Sequence, residues 1–132
     1  MRDQKTALRD AQAVFDRFLA AFSAADPGGI VALFWPDALV WGTTMRELGT
    51  CPDAVRAYFE PIGRRPPGTR RAVRREGAAL VVSDAVVLIS GSWAVEPGPE
   101  AGQDASIPLR ISLAITRRGE AWRISQFHSS PG

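Results

Sequence analysis

An α+β domain is predicted, with helices covering one face of a mainly antiparallel sheet. Apolar residues recur at three- and four-residue steps through the first half of the chain, and from about Ala72 onward they alternate in strand-like runs. Turns rich in Gly, Pro and Asp separate those runs. At 132 residues, 45% of them hydrophobic, the chain suits one domain spanning 1–132, large enough for a real core.

Leu8, Ala11, Phe15, Phe18, Leu19 and Phe22 stack on one face of a first helix. Asp26-Pro27 restarts the chain, because aspartate is a favoured N-cap and proline suits the first helical position. Ile30, Val31, Leu33 and Phe34 should then form a short second helix, ended by Trp35-Pro36. Residues 37–42 read as a turn feeding a short strand, and residues 42–49 as a reversal. Thr50-Cys51-Pro52-Asp53 has the form of a capping box with aspartate in place of glutamate. Ala54, Val55, Tyr58 and Phe59 give the third helix its stripe, and Pro61 with Gly63 marks its end.

Four strands are predicted at 72–82, 86–95, 107–116 and 121–128, with turns at Ser83-Asp84, Pro97-Gly98-Pro99 and Arg118-Gly119-Glu120. Ile107, Leu109, Ile111, Leu113 and Ile115 form one apolar row, while Val87, Ile89 and Trp93 oppose Val86 and Leu88. Helices on one side need only one apolar face, so the second row predicts a homodimer through the sheet. The alternative is that curvature buries both rows within one chain.

Cys51 is the single cysteine, which rules out an intrachain disulfide and suits a reducing cytoplasm. One cysteine, one histidine and no carboxylates at ligand spacing argue against a metal, and no phosphate-cradling glycine loop points to a cofactor, so neither is expected. No apolar run resembles a signal-peptide core or approaches a bilayer's thickness, so no membrane partner is expected. Arg64, Arg65, Arg70, Arg71, Arg74 and Arg75 form the strongest charge cluster. Pro66-Pro67-Gly68 interrupts it and no aromatic residues interleave, so it reads as a solvated loop and strand edge rather than a nucleic-acid site.

His128, the only histidine, closes the last strand, where strict alternation places it with Trp122, Ile124 and Gln126 and makes it a predicted pocket residue. Imidazole titrates nearest neutrality, so His128 is the first candidate for acid/base work. On the strand before, Arg110, Ser112 and Thr116 lie opposite the apolar row, and antiparallel pairing brings Arg110 near His128 or Gln126 if the faces coincide. A guanidinium in an apolar pocket would anchor a carboxylate or enolate. Tyr58, Ser112 and Gln126 are candidates for orienting a substrate, with Phe18, Trp41 and Trp93 as walls. The competing reading makes His128 a structural hydrogen-bond partner and Arg110 a solvated charge. Ser129 and Ser130 have no base beside them and simply end the strand.

The order of elements resembles the nuclear transport factor 2-like superfamily, which includes ketosteroid isomerases and SnoaL-like polyketide cyclases. The resemblance rests on Phe18-Leu19-Ala20-Ala21-Phe22 through Asp26, Ile30-Val31-Ala32-Leu33-Phe34, Asp37-Ala38-Leu39-Val40, residues 49–59 and Trp122-Arg123-Ile124. Phe127-His128-Ser129-Ser130-Pro131 is similar to the ending of the SgcJ/EcaC-type branch, near the calcium/calmodulin-dependent kinase association domain. The resemblance implies a cone-shaped barrel of three N-terminal helices on a curved sheet, with a pocket between them and usually a dimer. It does not carry the ketosteroid isomerase site across: the tyrosine donor falls at Phe18, the aspartate base at Gly42 and the protonated aspartate at Arg110. The dehydratase branch uses a histidine pair, and this chain has one histidine.

Two classes of function follow. One is a cofactor-independent isomerase, cyclase, dehydratase or hydrolase acting on a small oxygenated metabolite, in keeping with secondary metabolism, with His128 moving the proton and Arg110 holding the anion. The other is a small-acid-binding or dimerisation module of the same shape.

Overall fold

A computed structural model of the chain describes residues 3–98 and 105–132. The first helix, α1, runs Gln4–Ser23, and its N-cap Asp3 accepts a hydrogen bond from the Thr6 N–H at 2.7 Å. Ala7, Ala11, Val14, Phe15 and Phe18 form its buried stripe. Asp26 caps α2, Pro27–Val31, by accepting from the Gly29 N–H at 3.0 Å. The third helix, α3, spans Pro52–Phe59 and tightens into a 3₁₀ turn, Glu60–Arg64.

Two local expectations are corrected. Phe34 and Trp35 do not finish α2; they open strand β1, Phe34–Trp41, where Phe34 aligns with Ile124 of the last strand. Pro36 is tolerated because β1 is an edge strand whose register shifts between Phe34 and Leu39. The capping box does not form. Cys51 holds the N-cap without a side-chain bond, and Asp53 instead pairs with Arg56 at 2.7 Å.

Strands β2 (Arg70–Ser83), β3 (Val86–Pro97), β4 (Ile107–Arg118) and β5 (Ala121–Pro131) form an antiparallel meander. β1 adds to β5 in parallel, giving the order β1-β5-β4-β3-β2. The turn at Arg118-Gly119-Glu120 places Gly119 at φ +61, a conformation that glycine adopts without a Cβ penalty. Of the turn expected at Pro97-Gly98-Pro99, Pro99 lies outside the described residues.

The helices pack against one face, which holds Leu109, Ile111, Leu113 and Ile115 from β4, Val87, Ile89 and Trp93 from β3, and Ile124 and Phe127 from β5. Ile107 departs from the buried row and is exposed at the start of β4. Phe18 sits in the middle of an aromatic cluster, with ring centroids 5.4 Å from Phe127, 5.6 Å from Trp93 and 5.9 Å from Phe59. Each such ring withdraws about 1.5–3 kcal/mol of apolar surface from water, so this cluster binds α1 and α3 to the sheet.

Most of the arginine cluster is engaged in ion pairs along the β2 edge and the 3₁₀ turn. Arg64 meets Glu60 at 2.9 Å, Arg71 and Arg75 both meet Glu96, and Arg74 meets Asp16 at 2.6 Å while lying over the Phe15 ring. No helix among the described residues is long and apolar enough to cross a membrane.

Candidate functional site at the mouth of the cone

A hollow opens between the C-terminal half of α1, α3 with its 3₁₀ turn, and strands β3 and β5. Tyr58 enters it one helical position before the buried Phe59, so its ring lies along the wall. Its hydroxyl oxygen accepts from the Thr43 N–H at 2.9 Å. That contact orients the phenol and leaves its own proton free to be donated.

Behind Tyr58 is a small polar knot. Ser129 is 2% exposed, and its hydroxyl oxygen accepts from the Trp93 indole N–H at 3.1 Å and from the Thr43 hydroxyl at 2.9 Å. The knot ties β3, β5 and the 42–49 loop together and satisfies the buried indole. In front of it is a hollow of about 200 Å³ lined by Phe22, Thr44, Tyr58, Phe59, Pro61, Ile62, Arg65, Trp93 and Phe127. Tyr58 and Arg65 are its ionisable residues.

Tyr58 and Trp93, both expected at a binding site, line this hollow. Phe18 does not. It is fully buried behind Trp93 and Phe22, as part of the packing that shapes the back wall.

His128, Gln126, Arg110, Ser112 and Trp41 are on the other side of the sheet. The expected grouping of His128 with Trp122 and Ile124 is corrected by a β-bulge in β5: Ile115 aligns with Ile124 but Ala114 with Gln126, leaving Ser125 extra. The inserted residue reverses the phase of the strand. Trp122, Ile124, Phe127 and Ser129 therefore face the core, while Gln126 and His128 face outward and are exposed.

The expected nearness of Arg110 and His128 does hold, on that outer face. Ser112 stands opposite His128, and Arg110 opposite Ser130. With Ser90 they border a shallow groove of about 360 Å³, open to solvent in the single chain. Ser90 and Ser112 hydroxyls are 3.1 Å apart. Trp41 flanks His128 in the parallel pair with β1, 42% exposed, its indole donating to the Met45 carbonyl at 2.9 Å. An arginine and an imidazole in bulk water lack the apolar surroundings that the sequence-based assignment required.

Of the other tryptophans, Trp122 is buried, and Trp35 is half-buried beneath the guanidiniums of Arg118 and Arg123, at 4.8 and 4.9 Å from its ring centroid. Arg65, Phe22 and Phe127, which line the hollow, and Ser129, which anchors Trp93 behind it, were not among the residues expected at a site. Phe127 carried a signal: Trp122, Ile124 and Phe127 break the two-residue period, as a bulge requires. Arg65 carried none, being one of six clustered arginines.

Among the described residues no group of three or more His, Cys, Asp or Glu side chains is placed to hold a metal. Cys51 is free and exposed.

Comparison with known structures identifies the scaffold. A protein from Xanthomonas campestris, named provisionally as a calcium/calmodulin-dependent protein kinase II association domain, superposes with a TM-score of 0.81 at 21% identity, over 94% of this chain and 86% of that one. An NTF2-like protein of unknown function from Pseudomonas putida gives 0.79 at 17% identity, over 96% and 87%. A hexachlorocyclohexane dehydrochlorinase from Novosphingobium barchaimii gives 0.75 at 16% identity, over 98% and 89%. At these identities the likeness is one of fold. No curated protein matches the sequence. Residues 11–132 match the profile of the SnoaL-like domain, and with the helix-covered, mainly antiparallel sheet this establishes that the chain belongs to the SnoaL-like family of NTF2-like folds.

Proposed function

We propose that the chain is a small-molecule-binding protein whose ligand sits in the hollow at the mouth of the cone. The observation that carries this reading is the lining: a floor of Phe22, Phe59, Trp93 and Phe127, with Tyr58, Thr44 and Arg65 as its polar groups. A concave apolar wall with a few convergent donors is the usual form of a ligand site. At about 200 Å³ the space is smaller than the roughly 300–1,000 Å³ of drug-sized clefts, which suits a compact metabolite. The hollow is lined by no histidine and no carboxylate, and this favours binding over acid/base turnover within it.

The functional unit we infer is a homodimer paired through the outer face of the sheet. One rung crosses all five strands as Leu80, Leu88, Ala114, Gln126 and Leu39, and the next as Ala78, Ser90, Ser112, His128 and Trp41. Leu80, Leu88, Leu39 and Trp41 are all exposed in the single chain. A row of exposed leucines beside a rung of small residues ending in Trp41, on an uncovered sheet face, suits a self-complementary contact.

A second reading retains catalysis. Arg110 and His128 border one groove, and a second copy covering it would exclude water and give the imidazole and guanidinium the apolar surroundings that acid/base and anion-holding roles need. In that reading the reaction is a cofactor-free isomerisation, cyclisation, dehydration or hydrolysis.

Native mass spectrometry with a metabolite panel, followed by turnover assays on every ligand retained, separates the two. Retention abolished by Thr44→Trp, which fills the hollow, with no conversion by the wild type, supports the binding reading. Retention unaffected by Thr44→Trp removes it, and conversion lost in a folded His128→Gln variant supports the second.

A further inference from the structure

We infer that the hollow is selective for planar aromatic carboxylates. The proposal rests on the binding reading above and names the ligand class that its chemistry selects. The walls determine the body of the ligand. Phe22 and Trp93 meet edge to face with centroids 5.5 Å apart, and Phe59 and Phe127 meet the same way at 5.8 Å. These rings pack tightly against one another and present a rigid aromatic wall to the hollow, which suits a flat ring better than a branched aliphatic group. The small volume holds it to one or two rings.

The polar accounting determines the head group. The Trp93 indole N–H is committed to Ser129. The Tyr58 oxygen is committed as acceptor to the Thr43 N–H, so what Tyr58 has left to offer is a donated proton. Arg65 makes no ion pair among the described residues, and its planar fork of N–H donors matches a carboxylate. Arg65, exposed at the rim, and Tyr58, in the wall, therefore line the hollow, and no carboxylate lines it beside them. A ligand rich in acceptors and singly negative satisfies both, whereas an alcohol leaves the guanidinium unmatched and an ammonium is repelled.

Isothermal titration of the full chain with 2-naphthoate, 2-naphthalenemethanol and 2-naphthylmethylammonium tests this. The expected order is carboxylate first, with the alcohol at least about tenfold weaker, equivalent to about 1.4 kcal/mol, and the ammonium weaker still. Arg65→Gln, an exposed position whose replacement leaves the core untouched, should erase most of the difference between carboxylate and alcohol. Tyr58→Phe should weaken the carboxylate more than the alcohol. Equal binding of carboxylate and alcohol, or a preference that survives Arg65→Gln, overturns the ligand class and leaves the hollow as a general apolar site. Failure of all three to bind overturns the hollow reading as well.

Discussion

The ring of Tyr58 fills the space in which a side chain at position 42 would stand, so that a β-carbon built on Gly42 would collide with the phenol carbons and hydroxyl. Position 42 is where the family resemblance puts the aspartate base of ketosteroid isomerases. This chain has a glycine there and a tyrosine reaching across from α3. The two features require each other: the bare backbone admits the ring, and the next N–H, that of Thr43, holds its hydroxyl.

Gly42→Ala should accordingly destabilise the protein by about 1–3 kcal/mol, the usual cost of overpacking. In a Tyr58→Ala background most of that cost should vanish, because the obstructing ring is gone. A double-mutant cycle by urea unfolding gives the coupling directly, and additive effects would contradict the packing relationship.

Ser129→Ala should cost about 1–3 kcal/mol, since it leaves the buried Trp93 indole N–H without its acceptor. Ser130, the next residue, is half-exposed and has no such duty. Ser130→Ala should stay within about 0.5 kcal/mol of the wild type, and equal losses in the two variants would refute the knot's structural role.

Phe18→Ala should be the most damaging of these changes, at about 3–5 kcal/mol, because it empties the centre of the aromatic cluster. A fall in denaturant midpoint with an unchanged slope is the expected signature. Loss of ligand affinity in a variant of undiminished stability would instead restore Phe18 to the binding wall.

Leu88→Glu places a charge in the middle of the outer apolar rung, and light scattering should report a monomer against a wild-type dimer. A wild type that scatters as a monomer at every concentration removes the sheet-face pairing outright.

The N-cap of α1 predicts an acid dependence. The bond from Thr6 to Asp3 holds its carboxyl below the usual carboxylate range. A depressed folded-state value means that the stabilisation is complete above the ordinary aspartate range and disappears as pH falls through the lowered value. Asp3→Asn keeps the cap without the titration. Its stability relative to the wild type should therefore improve as the solution is acidified, and a pH-independent difference between the two would contradict this origin.

The three helices, all five strands apart from the true start of β1, and the apolar row of β4's Leu109, Ile111, Leu113 and Ile115 were readable in the sequence. Each depends on local periodicity, and the helix cap at Asp26 and the hairpin turn at Gly119 punctuate it with short-range chemistry. Less was readable of the site. Tyr58 and Trp93, expected at a binding site, line the hollow, whereas Phe18, Trp41, Ser112 and Gln126 do not. Arg65 was not legible, since only the fold decides which of several clustered arginines borders a cavity.

The decisive case is β5. The sequence alone determined that Gln126 and His128 share a face and that Arg110 and Ser112 share one, and it left open whether antiparallel pairing makes those faces coincide. Which side of the sheet they occupy was settled only in three dimensions. Ser125 is extruded opposite β4 so that Phe127 can turn inward against Phe18 and Phe59. Burial of that ring outweighs the lost ladder pairing, and one inserted residue inverts everything after it. Alternation is a rule about neighbours, whereas the choice of face is made by the aromatic packing of the whole core.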